Sequence, residues 1–316
     1  MIRFLARNAT YALATGVFAG LIFPWAASAL RPALDALIVL ITLMAMLRVD
    51  WTDLGQRLRQ PTRLTLAIGW CLLASAPLMA LLVWLLPLPP ALKSALILMA
   101  AAPPVTATTV IAGLLGLDAA LALATAVLGT LLVPLTLPWI ALELAGISVE
   151  LSPILVFQRL AIVVGGSALL AIILRRIIGV ERLARANEAV AASSVIILIL
   201  FAIAIMDGVT KVILETPMTA ALYLGISIAA NLVLTFGAAL IFKRTDPWSY
   251  ALLSGNRNMG LVWAGLGAGA PADVTLYFAI AQVPIYFSPL ILRPFARQRT
   301  KPSSSTSHST RQRADG

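Results

Sequence analysis

Apolar residues in this chain run in long blocks instead of alternating with polar ones. Read between charges, the blocks fall at about 9–30, 32–47, 64–86, 92–117, 119–142, 151–174, 189–206, 216–242, 247–271 and 274–292. A bilayer core of about 30 Å is crossed by roughly 20 helical residues at 1.5 Å each, close to the length of most of these blocks. The pattern predicts an all-α polytopic membrane protein with ten transmembrane helices. Charge intrudes within the blocks at Asp35, Arg159 and Arg257, with Lys93 at the edge of the fourth, and polar residues interrupt the fourth and ninth blocks.

Composition strengthens this reading. Hydrophobic types make up 60 % of the 316 residues and charged types 11 %, with a mean hydropathy of +0.97. Soluble domains carry about 25 % charged residues, so a water-soluble globule is excluded. The net charge of +10 is explained by where the cations sit. If all ten blocks cross, eighteen of the 23 Lys and Arg lie on the side of the N-terminus. Four lie on the other side (Arg31, Lys93, Arg159, Lys211), and Arg257 is inside a span. The positive-inside rule then places both termini in the cytoplasm of a bacterial inner membrane, and nucleic acid is not needed as a partner. A single cysteine, Cys71, excludes an internal disulfide, and the only histidine, His308, lies in a polar tail, so zinc and histidine acid–base chemistry lose their residue types. Arg3 and Arg7 precede a block ending in Ala27-Ser28-Ala29, a signal-peptidase pattern. The block is too long for a signal h-region, so it is expected to remain as the first span.

The two halves repeat one another. After the interruption in the fourth block come Ala112-Gly113-Leu114, Asp118 and then Pro134-Leu135-Thr136-Leu137. After that in the ninth come Ala264-Gly265-Leu266, Asp273 and then Pro289-Leu290-Ile291-Leu292. A five-span unit crosses an odd number of times, so a second copy is necessarily inverted, and inverted repeats with broken helices are a transporter architecture. The expected organisation is a transporter domain over 1–296, with repeats at about 9–144 and 151–296, followed by a disordered basic cytoplasmic tail at 297–316. The Asp50–Gln60 stretch reads as an interfacial linker.

Candidate chemistry sits at the two interruptions. Pro103-Pro104 removes two N–H donors at mid-depth, and Thr106, Thr108 and Thr109 follow with hydroxyls able to line a wet cavity. The second interruption is Ser254-Gly255-Asn256-Arg257-Asn258, and Arg257 is its strongest signal. A guanidinium at bilayer depth costs at least about 2.5–3.5 kcal/mol on insertion scales, so it must face protein and have partners. It is expected either to hold an anionic substrate bidentately, helped by the N-terminal ends of opened half-helices, or to form an ion pair with Asp35 or Glu188. Those two acids are also the candidate proton carriers. Asp118 and Asp273 are expected to be N-caps, Asn231 and Gln282 interhelical hydrogen-bond partners, and Cys71 core filling.

With these motifs the sequence resembles the bile acid:sodium symporter family. The likeness rests on ten spans, Pro104 then Val105-Thr106, Gly116, Pro134-Leu135, and Ser254-Gly255-Asn256-Arg257-Asn258 with Gly260-Leu261. It implies a panel of spans 1, 2, 6 and 7 and a core of the other six, with broken helices 4 and 9 crossing in the core and substrate bound near the crossing. It also implies sodium ligands, and here the chain departs: Leu253 stands in place of an acid, Arg257 of a glutamine, and Ala107, Ala122 and Ala126 of polar residues, with Thr125 one residue displaced. The expected function is alternating-access transport of a small organic anion, bile-acid-like or a carboxylate, that is not strictly sodium-dependent. Sodium-coupled symport is the alternative, and a non-transporting sensor or a lipid-modifying membrane enzyme are remote ones. No enzyme activity, metal or cofactor is expected. The candidate site is Arg257, Asn256, Asn258, Ser254, Thr106, Thr108, Thr109 and Thr125.

Overall fold

The computed structural model describes residues 9–49, 54–55, 61–147 and 152–297. Among these every regular element is helical, and seven helices are long and apolar enough to cross a membrane. The chain runs through α1 (Ala9–Ile22), α2 (Pro24–Leu47), α3 (Pro61–Trp84), α4 (Pro90–Ala101), α5 (Ala107–Leu115), α6 (Ala119–Leu144) and α7 (Pro153–Ile178). It continues through α8 (Val180–Arg185), α9 (Asn187–Ala204), α10 (Val209–Glu215), α11 (Pro217–Ile241), α12 (Pro247–Gly255), α13 (Met259–Leu266), α14 (Ala272–Ile280) and α15 (Gln282–Arg297). The expected tail, Arg3, Arg7 and most of the 50–60 linker lie outside the described residues.

One boundary differs from the sequence reading. The turn between the first two blocks is not at Arg31-Pro32 but at Phe23, whose φ of −116° and ψ of 72° are non-helical. Pro24 occupies the first position of α2, where its missing N–H costs nothing. The helix then passes Pro32 by tightening to a 3₁₀ turn over Arg31–Ala33. Asp118 caps α6 as expected, its carboxylate accepting from the Leu121 N–H at 2.9 Å. Asp273 does not cap α14. That helix starts at Ala272 after Pro271, which leaves Asp273 inside the first turn.

Helices α1, α2 and α9 pack on one another, and α7 packs on α2. Against them lies a second group in which α3 packs on α4, α11 on α12 and α14 on α4. The fourth and ninth blocks are both interrupted helices, α4/α5 and α12/α13. At each interruption backbone groups lose their helical partners at a depth where water cannot replace them. The two interruptions solve this jointly. They form an antiparallel bridge between Pro104 and Arg257, in which the Val105 N–H donates to Asn256 O at 2.9 Å and the Asn258 N–H donates to Pro103 O at 2.7 Å.

Candidate functional site

Three backbone carbonyls are released where helices are interrupted, and one side chain takes all three. α4 ends at Ala101, and the following Ala102 is extended (ψ 145°), so the Ala102 carbonyl has left the helical ladder. Ser254 is the penultimate residue of α12, so its carbonyl is one of the helix's orphans. In α3 a π-turn over Trp70–Ala74 lets the Ser75 N–H reach back to Trp70 O, and the Cys71 carbonyl loses its usual partner. Arg257 is 1 % exposed and donates from Nη1 to Cys71 O at 2.7 Å and to Ala102 O at 2.8 Å. Its Nε donates to Ser254 O at 2.7 Å, and Nη2 donates to Ser75 Oγ at 3.2 Å and Ser254 Oγ at 3.4 Å. A guanidinium has five N–H donors, and these five contacts use them all. No carboxylate pairs with it among the described residues, so its counter-charge is supplied by carbonyl dipoles at the C-terminal ends of α4 and α12.

The opposite ends of the interruptions face a cavity of about 360 Å³. One wall comes from α2 and α9, including Thr42, Ser194 and Phe201, and the other from the interruptions and α15, including Thr106, Asn258 and Gln282. The first residues of α5 and α13, Ala107 and Met259, also line it. The helix starts they mark carry the positive ends of two helix dipoles, and the Met259 N–H is itself engaged by Arg257 O at 3.1 Å. Among the described residues no Asp or Glu lines the cavity, whereas Arg48 stands at its wall together with the Arg257 turn. A concave, mostly apolar space with converging donors and no carboxylate favours an anion with an apolar body.

The structure gathers part of the residue set read from the sequence. Arg257, Asn256, Asn258, Thr106 and Thr109 line one cavity, and Ser254 supports Arg257 from behind while accepting from Trp70 Nε1 at 2.9 Å. Asn256 is held by its own contacts, Nδ2 donating to Leu252 O at 2.9 Å and Oδ1 accepting from Ser288 Oγ at 2.8 Å. Thr108 and Thr125 are fully buried, and their hydroxyls are spent on Val105 O at 2.6 Å and Leu121 O at 2.8 Å. Thr109 Oγ1 is buried without a hydrogen-bond partner. Asp35 and Glu188 are exposed at the starts of α2's second part and α9, and Arg257 contacts neither. Asn231 bridges helices through Nδ2 to Gly255 O at 2.7 Å, whereas Gln282 bonds to Phe278 O of its own chain segment at 3.3 Å and faces the cavity.

Sequence reasoning missed the acceptors of Arg257, because Cys71 contributes a backbone carbonyl and Ser75 is a lone hydroxyl in an apolar run. It also missed a cluster beyond the cavity. α13 ends at Gly267 (φ +57°), and there Arg159 Nη1 donates to Leu266 O at 2.5 Å. The positive φ favours glycine at position 267, where a Cβ would also displace the end of that guanidinium. One turn back, the Arg31 guanidinium lies 4.6 Å from the Trp263 ring centroid and 3.9 Å from the Asp207 carboxylate. Arg159 and Arg31 both belong to the helix group that faces α13, so they tie the two groups together on that side.

In comparison with known proteins, the family model described as Sodium Bile acid symporter family matches residues 36–216, more than half of the chain. The matched stretch includes the first interruption and ends before the second. No curated protein matches the chain.

Proposed function

This chain belongs to the Sodium Bile acid symporter family, whose members are membrane transporters, and on that premise we propose that it moves a small organic anion, bile-acid-like or a carboxylate, by alternating access. The observation that carries the proposal is the cavity between the two helix groups, into which two half-helix N-termini open and, among the described residues, no carboxylate projects. An anion entering it meets the positive N-terminal ends of α5 and α13, with the Thr106 and Asn258 side chains beside them as hydrogen-bond donors. The apolar walls then cover the remainder of the solute.

The proposed membrane arrangement is ten spans in two inverted five-span repeats, with both termini on the cytoplasmic side of a bacterial inner membrane. The seven long helices supply seven of those spans, α1 an eighth, and the interrupted pairs α4/α5 and α12/α13 the last two. Each pair is one sequence block in which the polar interruption falls between two short helices.

The proposed coupling does not strictly require sodium. A sodium ion replaces its hydration shell with several oxygens, preferentially carboxylate, carbonyl and hydroxyl. At the crossing the released carbonyls are already engaged by Arg257, and the buried Leu253, Ala122 and Ala126 bring no side-chain oxygen. At about 4 Å and an effective dielectric near 20, a second unit charge beside that guanidinium is repelled by roughly 4 kcal/mol. These residues do not fit a resident sodium ion. Sodium symport keeps one point in its favour, the unpartnered buried hydroxyls of Thr109 and Thr235.

The test is uptake of a panel of labelled organic acids into proteoliposomes under separately imposed sodium and proton gradients. Accumulation of an organic anion that persists with choline in place of sodium is expected. No uptake of any acid would overturn the transport reading, and a several-fold loss in choline restored by sodium alone would overturn the coupling.

A further inference from the structure

We infer that Arg257 is a positioning residue acting as a covalently attached cation: its guanidinium occupies an oxygen cage at the crossing and holds α3, α4 and α12 in register. Three features lead there. Its five contacts are all to oxygens, three of them backbone carbonyls from three separate helices, Cys71 of α3, Ala102 after α4 and Ser254 of α12. The remaining two are the hydroxyls of Ser75 and Ser254. Neutral oxygens converging from several directions are what binds a free cation, and here the cation is tethered to the chain. Second, the cage gathers carbonyls that have left their helical ladders, and the guanidinium is the donor all three share, with Ser75 Oγ also donating to Cys71 O at 3.3 Å. The π-turn in α3 gives up an ordinary helical hydrogen bond at Cys71, and the Ala102 and Ser254 carbonyls are helix-end orphans. Third, the guanidinium is committed to the cage although the residue borders the cavity. It has no donor left for an anion, and it is 1 % exposed, whereas Thr106 and Asn258 stay accessible at the cavity wall.

The cation thereby separates two electrostatic tasks at one crossing. The C-terminal ends of α4 and α12 are neutralised by Arg257, and the N-terminal ends of α5 and α13 are left for the anion. The fixed charge holds the bridge between Pro104 and Arg257 closed whether or not a solute is present. The inference rests on the transporter reading only for its consequence for transport, and its structural part is tested without any substrate.

Truncating Arg257→Ala removes the equivalent of ethylguanidinium from the cage. The purified variant in detergent is expected to melt at least about 5 °C below the parent, since the charged hydrogen bonds of the cage are lost. Millimolar ethylguanidinium should restore most of that shift, while the neutral, nearly isosteric ethylurea should not, and neither should move the parent, whose cage is filled. Arg257→Lys carries a charge but only three donors and should fall between Ala and parent, whereas Arg257→Met fills the space without charge and should resemble Ala. In proteoliposomes, Arg257→Ala should lose uptake and regain part of it with ethylguanidinium inside and outside. An Arg257→Met variant as stable as the parent would overturn the inference, as would equal restoration by ethylurea and ethylguanidinium. If Arg257→Ala does not accumulate in the membrane, the order of parent, Lys and Met melting temperatures decides the matter. A variant that melts like the parent yet no longer transports would instead assign Arg257 to the solute.

Discussion

Pro104 and Arg257 face each other across an antiparallel backbone bridge, so that the two interrupted helices complete each other's hydrogen bonding at the centre of the molecule. Proline at that point removes a donor that a helix would need, and the arginine turn returns one through the Asn258 N–H, which donates to Pro103 O at 2.7 Å. Backbone, cation cage and cavity meet there, and the predictions test each in turn.

Gly255 closes α12 directly beneath this bridge, and a Cβ on it would overlap Thr235 Oγ1 on α11. Gly255→Ala is therefore expected to destabilise the protein by about 1–3 kcal/mol. Thr235 Oγ1 has no hydrogen-bond partner, so Thr235→Ala costs little and makes room. The double variant should recover most of the loss in thermal melts, and strict additivity would show that the clash is not the cause.

The solute-binding role separates two hydroxylic candidates from each other. Asn258→Ala and Thr106→Val should each raise the KM for uptake about tenfold with little change in melting temperature, the value of roughly one charge-assisted hydrogen bond. Thr125→Val, whose hydroxyl is spent inside α6, should leave KM within about twofold. A larger effect at Thr125 than at Asn258 would reassign the site.

Arg159 on Leu266 O and Arg31 over Trp263 hold α13 against α7 and the start of α2 at the Gly267 end of α13. Breaking both ties, with Arg159→Met and Arg31→Ala, is expected to favour opening on that side. In a Cys71→Ala background with the cavity-lining Ala107→Cys, a membrane-impermeant thiol reagent applied from the Gly267 side should react at least about fivefold faster once the ties are gone, a shift of roughly 1 kcal/mol in the opening equilibrium. Unchanged labelling would mean that the ties do not hold the closed side.

With ten spans, eighteen of the 23 cations would lie on the side of the N-terminus, which makes a topology test direct. A reporter fused after Gly316 should be active as a cytoplasmic fusion and silent as a periplasmic one. Activity only in the periplasm would invert the arrangement.

What the sequence determines by itself is whatever the bilayer punishes locally. Long apolar blocks have to be helices, Pro103-Pro104 has to open one, and the stretch from Ser254 to Asn258 marks where another opens, at Asn256–Asn258 once Gly255 has ended α12, because hydrocarbon offers no water to unpaired groups. The cap at Asp118 is equally local, a carboxylate three residues before the N–H it accepts from. The placement of Asp273 was not readable in this way, because Pro271 starts the helix two residues earlier than the acid would. The turn at Phe23 was hidden because Arg31 and Pro32 look like a boundary, yet a 3₁₀ turn carries the helix through them. That Arg257 must be buried with partners follows from its type and depth, but which partners does not. Cys71 and Ala102 contribute carbonyls that every residue possesses, and only a π-turn in α3 and the end of α4 release these two. The same holds for Leu266, whose carbonyl meets Arg159 only because α7 packs beside α13. Side-chain chemistry is written in the sequence. The backbone atoms that answer it are chosen by packing, since a carbonyl becomes available only when tertiary structure takes it out of its helix.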